Sequence, residues 1–369
     1  MLRLSLIAAL ATISTPALAP RNGDLIAADP VAQAPDGMRA WRIRYWTSDD
    51  RGGPREVTGM VVAPRGERGA TDRPVIAWTH GTWGVVQQCA PSQSSQFFDL
   101  TPALGAVRNG YVVVAPDYPG LGSPGPHPYL VGTVTARATL DAVRAARQIR
   151  AAAAGNRYAV WGESQGGHAA LWTGQLAAVE GAGLELVGIA AGAPPTDLAA
   201  NLRQASDPNA RAFLMALTTV SWSQYYRVPL NLGRRSSPAI MRRLASNCIS
   251  VSSTPKLGAL LGILTLRRDL KNVDLGRQAP WSSYVAANST TPIQTVPVLI
   301  AQTQGDPLVA PAVTRQFAQR LCANRVRVRW IDLPGKDHAT TARQSATESL
   351  RWIDDRFAGA RAPSDCGKI

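Results

Sequence analysis

A serine between two glycines is the residue of this chain best suited to act as a nucleophile. Ser164 stands at the centre of a Gly-x-Ser-x-Gly pattern at residues 162–166, directly after the apolar run at residues 158–161. The two glycines leave room for a tight turn from a strand into a helix, which lifts the serine hydroxyl out of a sheet. The pattern predicts a nucleophilic serine, and because the pentapeptide alone is only moderately specific, its context must decide.

A general base and an acid follow the serine along the chain. Of the four histidines, only His338 comes after Asp306, which itself follows the apolar run at residues 296–302. His338 would take the serine proton, while Asp306 would fix the tautomer of the ring and stabilise the imidazolium. We therefore predict a catalytic triad of Ser164, His338 and Asp306.

Two other carboxylates compete with Asp306 for the role of the acid. Asp337 is adjacent to His338 in the sequence, but neighbouring side chains diverge and seldom orient each other. Asp332 ends the strand-like stretch at residues 326–332 and could support the histidine loop from outside the triad. The position of Asp306, just past a predicted strand end, favours it.

The three remaining histidines have simpler interpretations. His168 lies one helical turn beyond Ser164, where its side chain should follow the helix, so we interpret it as structural. His80 opens a glycine-rich loop and is expected to brace that loop by hydrogen bonding. His127 lies in a proline-rich loop with no evident acidic partner.

A glycine-rich loop upstream of the serine is suited to bind an oxyanion. It occupies residues 80–84 and follows the apolar run at residues 74–79. Backbone N–H groups that point out of such a loop can stabilise the charge of a tetrahedral intermediate. We expect one donor from Gln165, the residue after the nucleophile, and the other from Gly81 or Thr82.

Alternating strands and helices must position these residues. Further apolar runs at residues 111–116 and 186–193 predict strands, and an alanine-rich stretch at residues 136–154 predicts a helix. This alternation predicts an α/β protein with a mostly parallel central sheet flanked by helices. Oxyanion loop, serine, acid and histidine also follow one another in the order that an α/β-hydrolase fold requires.

Several stretches of the chain resemble the secretory lipase family of the α/β-hydrolase superfamily, which includes yeast secreted lipases and related bacterial enzymes. Besides the Ser164, Asp306 and His338 regions, they are residues 78–82, 89–92, 115–122 and 125–129, and the resemblance spans roughly residues 40–355. Glu163 is a departure, since many bacterial members carry histidine there. The resemblance implies a lipase or esterase that cleaves ester or lipid substrates, with a lipid–water interface as a candidate site of action.

The resemblance also implies one catalytic domain that is interrupted by a cap. We expect residues 20–199 and 293–369 to form the catalytic domain and residues 200–292 to form a helical cap or lid. Helical stretches within the cap are predicted at residues 211–226, 240–244 and 256–266. Their apolar faces would line an acyl-binding tunnel or pack the cap onto the core.

The amino terminus and the cysteines indicate an exported protein. Residues 1–19 have a basic start, a short apolar core and an Ala-x-Ala end, as in a cleavable signal peptide. Cys89, Cys248, Cys322 and Cys366 permit three complete pairings. The resemblance favours Cys89 with Cys248 and Cys322 with Cys366. We expect a secreted or periplasmic protein.

Charge and composition exclude other classes. The net charge of +14 would suit a nucleic-acid partner, but only 4 of the 39 basic residues are lysine and the arginines are dispersed, so no nucleic acid is expected. No later segment qualifies as a stable membrane span. Metal-ligand spacings are absent from the sequence, so no metal and no cofactor are predicted. A monomer is expected.

The predicted function is therefore that of a secreted serine hydrolase that cleaves carboxylic esters through an acyl-enzyme. One alternative is an acyltransferase that uses the same triad and admits an alcohol in place of water. A peptidase is less favoured. The alternative from another class is a noncatalytic binding module on the same fold, against which the complete triad argues.

Overall fold

The structure is a computed structural model that describes residues 20–66, 71–233, 237–249 and 257–369. The predicted signal peptide at residues 1–19 lies outside the described residues. The strands are β1 (Leu25–Pro30), β2 (Met38–Ser48), β3 (Pro54–Pro64), β4 (Arg73–Thr79), β5 (Val112–Pro116), β6 (Ala154–Glu163), β7 (Glu185–Gly192), β8 (Val298–Thr303) and β9 (Val328–Leu333). The α-helices are α1 (Gly132–Ala146), α2 (Gln165–Glu180), α3 (Leu198–Gln204), α4 (Pro208–Tyr225), α5 (Pro238–Ala245), α6 (Leu257–Asp269), α7 (Trp281–Asn288), α8 (Pro311–Ala323), α9 (Thr341–Gln344) and α10 (Ala346–Phe357).

These strands form one sheet in the order β1-β2-β3-β5-β4-β6-β7-β8-β9. The pairs β1–β2, β2–β3 and β3–β5 are antiparallel, and every later pair is parallel. Because parallel strands end at the same edge of a sheet, the loops after β4, β6, β8 and β9 meet there. Those loops carry Gly81, Ser164, Asp306 and His338.

The central strands are apolar on both faces because helices cover both. Val160 of β6 packs on one side with Leu140 of α1 and Phe317 of α8. The next residue, Trp161, packs on the other side with Trp352 of α10. This double coverage explains the nearly continuous apolar runs in the sequence, since parallel strands are usually buried on both faces.

Five helices, α3 to α7, lie between β7 and β8. They share a separate apolar core that includes Met215 of α4, Leu244 of α5, Leu266 of α6 and Trp281 of α7. None of the helices in the described part of the chain is both long and apolar enough to cross a membrane.

The predicted strands β4 to β9 are confirmed within a few residues at each end, and the predicted helical stretches correspond to α4, α5 and α6. The helix predicted at residues 136–154 was wrong at both ends. Helix α1 begins at Gly132 and ends at Ala146, and Ala154 already belongs to β6. Tertiary context overrides even the high helix propensity of alanine, because the chain must turn back into the sheet, with φ of 54° at Ala153.

Candidate active site

Ser164 occupies the turn between β6 and α2 with φ of 56° and ψ of −120°. Such angles strain a residue that has a Cβ, and strain of this kind concentrates at functional sites. A Cβ at Gly166 would lie 1.8 Å from the carbonyl oxygen of Thr79, and one at Gly162 would lie 2.0 Å from Thr79 Oγ1. The turn therefore requires both glycines, and it leaves Ser164 at the carboxyl edge of the sheet.

Asp306 and His338 lie in contact at the same edge. His338 Nδ1 is 2.6 Å from Asp306 Oδ2, and the side chain of Asp306 is fully buried. The N–H groups of Leu308 and Val309 donate to Asp306 Oδ1 at 2.8 and 2.9 Å. Burial by itself lowers the pKa of His338, but the hydrogen bond and the charge of Asp306 raise it above its usual value. The carboxylate thus holds Nδ1 of the ring and leaves Nε2 for another partner.

The competing carboxylates have other partners. Asp332 pairs with Arg315 at 3.0 Å. Asp337 accepts hydrogen bonds from the N–H of Ala339 and the hydroxyl of Thr340, each at 2.9 Å, and so shapes its own loop. Within the described residues, no group of three or more His, Cys, Asp or Glu side chains is arranged to hold a metal ion.

Glu163 connects the serine turn to the segment after the histidine. Its Oε1 accepts a hydrogen bond from the N–H of Ala342 at 2.8 Å. Burial raises the pKa of Glu163 to about 7, against the opposing effects of that hydrogen bond and of the charge on His338. An acid whose raised pKa lies near neutrality therefore joins the residue before Ser164 to the segment after His338, a contact that the sequence did not reveal.

The loop after β4 lies against the serine turn. A Cβ at Gly81 would be 3.4 Å from the carbonyl oxygen of Glu163 and 3.9 Å from Ser164 Cβ. Thr82 Oγ1 is 2.9 Å from the hydroxyl of Tyr129. Gly81 is thus next to the candidate nucleophile, and Thr82 lines the same cavity as Ser164.

Gln165 begins α2, and its side chain is held by a buried histidine. Gln165 Nε2 lies 3.1 Å from His127 Nε2, and His127 Nδ1 lies 2.9 Å from the carbonyl oxygen of Pro119. Burial lowers the pKa of His127 to about 3, so the ring is neutral. Nδ1–H then donates to Pro119 and Nε2 accepts from the amide. The sequence did not reveal this contact, because the partner of His127 is an amide and not a carboxylate.

The other two histidines contact backbone carbonyl groups. His80 Nδ1 lies 2.6 Å from the carbonyl oxygen of Gly81, within the loop itself. His168 Nε2 lies 2.7 Å from the carbonyl oxygen of Asn288 and so joins α2 to α7. These contacts agree with structural roles for both residues.

A cavity of ≈ 400 Å³ opens beside Ser164 and His338. Its size lies within the usual range for small-molecule sites. Large apolar side chains line it, several of them from α3 and α4: Phe97, Leu202, Phe213, Leu214, Trp222 and Ile249. The site can therefore hold an apolar group next to the candidate triad.

Two disulfides are present in the described residues, Cys89–Cys248 and Cys322–Cys366. The first joins the region after β4 to the segment that follows α5. The N–H of Ile249 also donates to the carbonyl oxygen of Trp83 at 2.8 Å. The oxyanion-loop region is consequently fastened to the helices between β7 and β8 at two neighbouring points.

Similarity to known proteins agrees with this fold. Candida antarctica lipase A has a similar structure, with a TM-score of 0.73 and 19% sequence identity over 94% of this chain and 85% of that one. Its likeness, together with the parallel sheet and the serine turn after β6, defines an α/β-hydrolase. The model of the family described as "Secretory lipase" matches residues 90–365. The chain therefore belongs to the secretory lipase family.

Two relatives illustrate the range of that family. The protein named "Lipase 10" of Candida albicans is 22% identical and covers 94% of this chain, which in turn covers 80% of it. A Mycobacterium tuberculosis protein named as a "Probable inactive lipase" is 23% identical over 88% of this chain and 75% of its own length. Family membership supports ester hydrolysis of the lipase and esterase kind, and with the disulfides it supports a location outside the cell.

Proposed function

We propose that the protein is a serine hydrolase that cleaves carboxylic esters through the triad Ser164, His338 and Asp306. The observation that carries the proposal is the buried Asp306–His338 contact beside the same cavity as the strained Ser164. A histidine oriented by a carboxylate can act as a general base toward a serine hydroxyl. Family membership supports the reaction class.

In the proposed reaction, Ser164 Oγ attacks the ester carbonyl carbon as His338 Nε2 takes the hydroxyl proton. The negative charge on the carbonyl oxygen is bound by the N–H of Gln165 and by that of Gly81 or Thr82. Collapse of the intermediate breaks the ester C–O bond, and His338 gives its proton to the leaving alcohol. Water then attacks the acyl-enzyme with His338 again as base, which releases the acid and restores Ser164.

The cavity favours an ester with an apolar acyl group. Its lining near Ser164 is mainly aromatic and aliphatic, and it lies under the helices between β7 and β8. We assign residues 200–292 as a cap over the catalytic domain formed by residues 20–199 and 293–369. Triacylglycerol is one candidate substrate within this class.

An export route is part of the same proposal. Residues 1–19 would direct the chain out of the cytoplasm and be removed. The mature protein would act as a secreted or periplasmic monomer, in a compartment where Cys89–Cys248 and Cys322–Cys366 can persist.

Hydrolysis of p-nitrophenyl esters from acetate to palmitate by the mature protein tests the proposal, with emulsified triglyceride assayed alongside. Ser164→Ala should abolish turnover, and a serine-reactive phosphonate should label the unaltered protein but not this variant. Turnover that survives in Ser164→Ala would contradict the assignment of the nucleophile.

The same assay separates the alternatives. An acyltransferase would be labelled at Ser164 and would transfer the acyl group to an added alcohol in preference to water. A noncatalytic module would show neither turnover nor labelling, and the relative named as inactive makes this outcome worth testing.

A further inference from the structure

Helix α6 carries an apolar face that is open to solvent. Leu257, Leu260, Leu261 and Leu264 are 72%, 46%, 56% and 44% exposed. Residues three and four apart share one side of a helix, so these side chains form a continuous leucine stripe. Single exposed leucines are ordinary, whereas a contiguous apolar patch indicates an interaction surface.

The opposite face of α6 is the one that packs against the protein. Ile263 and Leu266 belong to the apolar core of helices α3 to α7. A Cβ at Gly262 would lie 3.4 Å from the side chains of both Ile240 and Leu244 of α5. The leucine stripe therefore faces away from the contacts that hold α6 in position.

A cationic cavity adjoins the carboxyl-terminal end of the leucine stripe. This basic cavity has a volume of ≈ 680 Å³ and includes Leu264 in its lining. Arg267 and Arg268 lie three and four residues after Leu264 and so continue the same side of the helix. The charged side chains that line the basic cavity are Arg203, Arg211, Arg267, Arg268, Lys271 and Asp274.

Much of this positive charge is not neutralised. Arg203 lies 3.5 Å from Asp274, which is the one carboxylate in the lining, and Arg268 pairs with Asp269 at 2.9 Å. Among the residues that the structure describes, no ion pair involves Arg267 or Lys271. The basic cavity thus presents net positive charge beside exposed leucines.

A further cation borders the other end of the stripe. A Cβ at Gly258 would lie 3.1 Å from Arg243 Nη2, so the guanidinium of this exposed α5 residue flanks the first turn of α6. Apolar side chains with cations at both ends match the boundary of an anionic lipid layer, where acyl chains meet phosphate groups.

We propose that the leucine stripe and the basic cavity bind the protein to an anionic lipid surface. The leucines enter the acyl region, and the basic cavity receives a headgroup phosphate. A nucleic acid would contact the cations but leave the leucines in water. A second copy of the chain, related by twofold symmetry through this face, would bring two sets of cations together.

The surface is close to the active-site cavity. Helix α6 contacts α4, and Phe213 and Leu214 of α4 line the cavity beside Ser164. Lipid bound at the leucine stripe is therefore one helix away from the cavity. The inference concerns binding alone and does not depend on the proposed reaction.

Flotation of the mature protein with lipid vesicles tests this inference, and use of the Ser164→Ala variant prevents hydrolysis during the assay. We expect binding to vesicles of phosphatidylcholine mixed with phosphatidylglycerol, weaker binding to phosphatidylcholine alone, and loss of the difference at high salt. At constant ionic strength, inorganic phosphate should compete only in part and should weaken binding by no more than loss of the cavity cations does, since the leucines supply the rest of the affinity.

Two paired variants report on the two parts of the surface. Leu260→Gln with Leu261→Gln should weaken binding by more than about tenfold. Arg267→Gln with Lys271→Gln should weaken it by roughly 25-fold, at about fivefold for each charge. The matched controls are Val179→Gln with Ile293→Gln for the leucines and Arg150→Gln with Lys368→Gln for the cations. These exposed residues lie outside the cap.

The same variants are also made with Ser164 intact. Their turnover of a soluble short-chain ester checks that they fold. Equal binding to neutral and anionic vesicles would overturn the proposal, as would α6 variants that bind like the controls. Leucine-dependent self-association with no vesicle binding would assign the stripe to a second copy of the chain instead. Absence of ester turnover with vesicle binding intact would refute only the proposed reaction.

Discussion

His127 Nε2 accepts a hydrogen bond from the side-chain amide of Gln165, with 3.1 Å between the two nitrogen atoms. Gln165 follows the candidate nucleophile, and its backbone N–H is the expected oxyanion donor. A neutral histidine, fixed in its tautomer by Pro119, thus anchors the first residue of α2. His127 is accordingly a positioning residue for the oxyanion site.

Replacing His127 with phenylalanine should lower kcat about tenfold and leave KM nearly unchanged. The phenyl ring keeps the stacking on Tyr118 but cannot accept the amide hydrogen bond, so the Gln165 N–H is less well held in the transition state. Steady-state kinetics on a soluble ester measures this. In a Gln165→Ala background, His127→Phe should lower kcat little further. If it still lowered kcat about tenfold there, the contact between His127 and Gln165 would not be the cause of the loss.

Changing Asp306 to asparagine should reduce kcat by about 10⁴-fold, because the ring of His338 would lose the carboxylate that fixes its tautomer and stabilises its charge. Asp337→Asn is the matched control, since Asp337 accepts hydrogen bonds from Ala339 and Thr340 of its own loop. That variant should retain activity within about tenfold. Equal losses in the two variants would contradict the choice of Asp306 as the acid.

Glu163 should make the protein less stable as the pH rises. In the folded protein the pKa of Glu163 is about 7, whereas its usual value, which applies to the unfolded chain, is 4.5. Between these values the folded state holds more protons, so the free energy of unfolding falls with pH, by about 3 kcal/mol in all. The loss levels off about one pH unit above this pKa, where the group is ionised in both the folded and the unfolded state.

The variant Glu163→Gln removes that dependence and can still accept the hydrogen bond from Ala342. The free energy of unfolding of this variant should exceed that of the unaltered protein by a margin that grows between pH 5 and pH 7. Denaturant unfolding at each pH measures this margin, and one pKa unit corresponds to roughly 1.4 kcal/mol. Because ionised Glu163 also raises the pKa of His338, the acidic limb of kcat/KM should move to lower pH in this variant. Parallel stability curves would contradict the raised pKa.

Replacing both Cys89 and Cys248 with serine should lower the midpoint of thermal unfolding and also lower kcat/KM. The bond spans 159 residues, and opening so long a loop is worth about 2–5 kcal/mol. The activity loss follows because the bond lies next to the oxyanion-loop region. Cys322→Ser with Cys366→Ser, which opens a bond spanning 44 residues near the carboxyl terminus, should cost stability while sparing activity.

The parts of the site that follow from chain order could be predicted from the sequence. Each of Ser164, Asp306 and His338 comes just after an apolar run, and parallel strands bring such positions to one edge. The antiparallel strands β1 to β3 were not predicted, nor were α3 and α7 to α10. Contacts such as His127 with Gln165 and Glu163 with Ala342 join residues 38 and 179 positions apart, and only packing reveals them.

Gly166 has a consequence for how this protein can diversify. It carries no side chain, and a Cβ there would lie 1.8 Å from the carbonyl oxygen of Thr79. The strand before the oxyanion loop and the serine turn are in such close contact that neither can change shape alone. The helices between β7 and β8 have their own core and contribute Leu202, Phe213, Leu214 and Trp222 to the apolar cavity wall. Substitutions there can alter which esters fit while the reacting groups keep their geometry, so new substrate preferences can arise without rebuilding the chemistry.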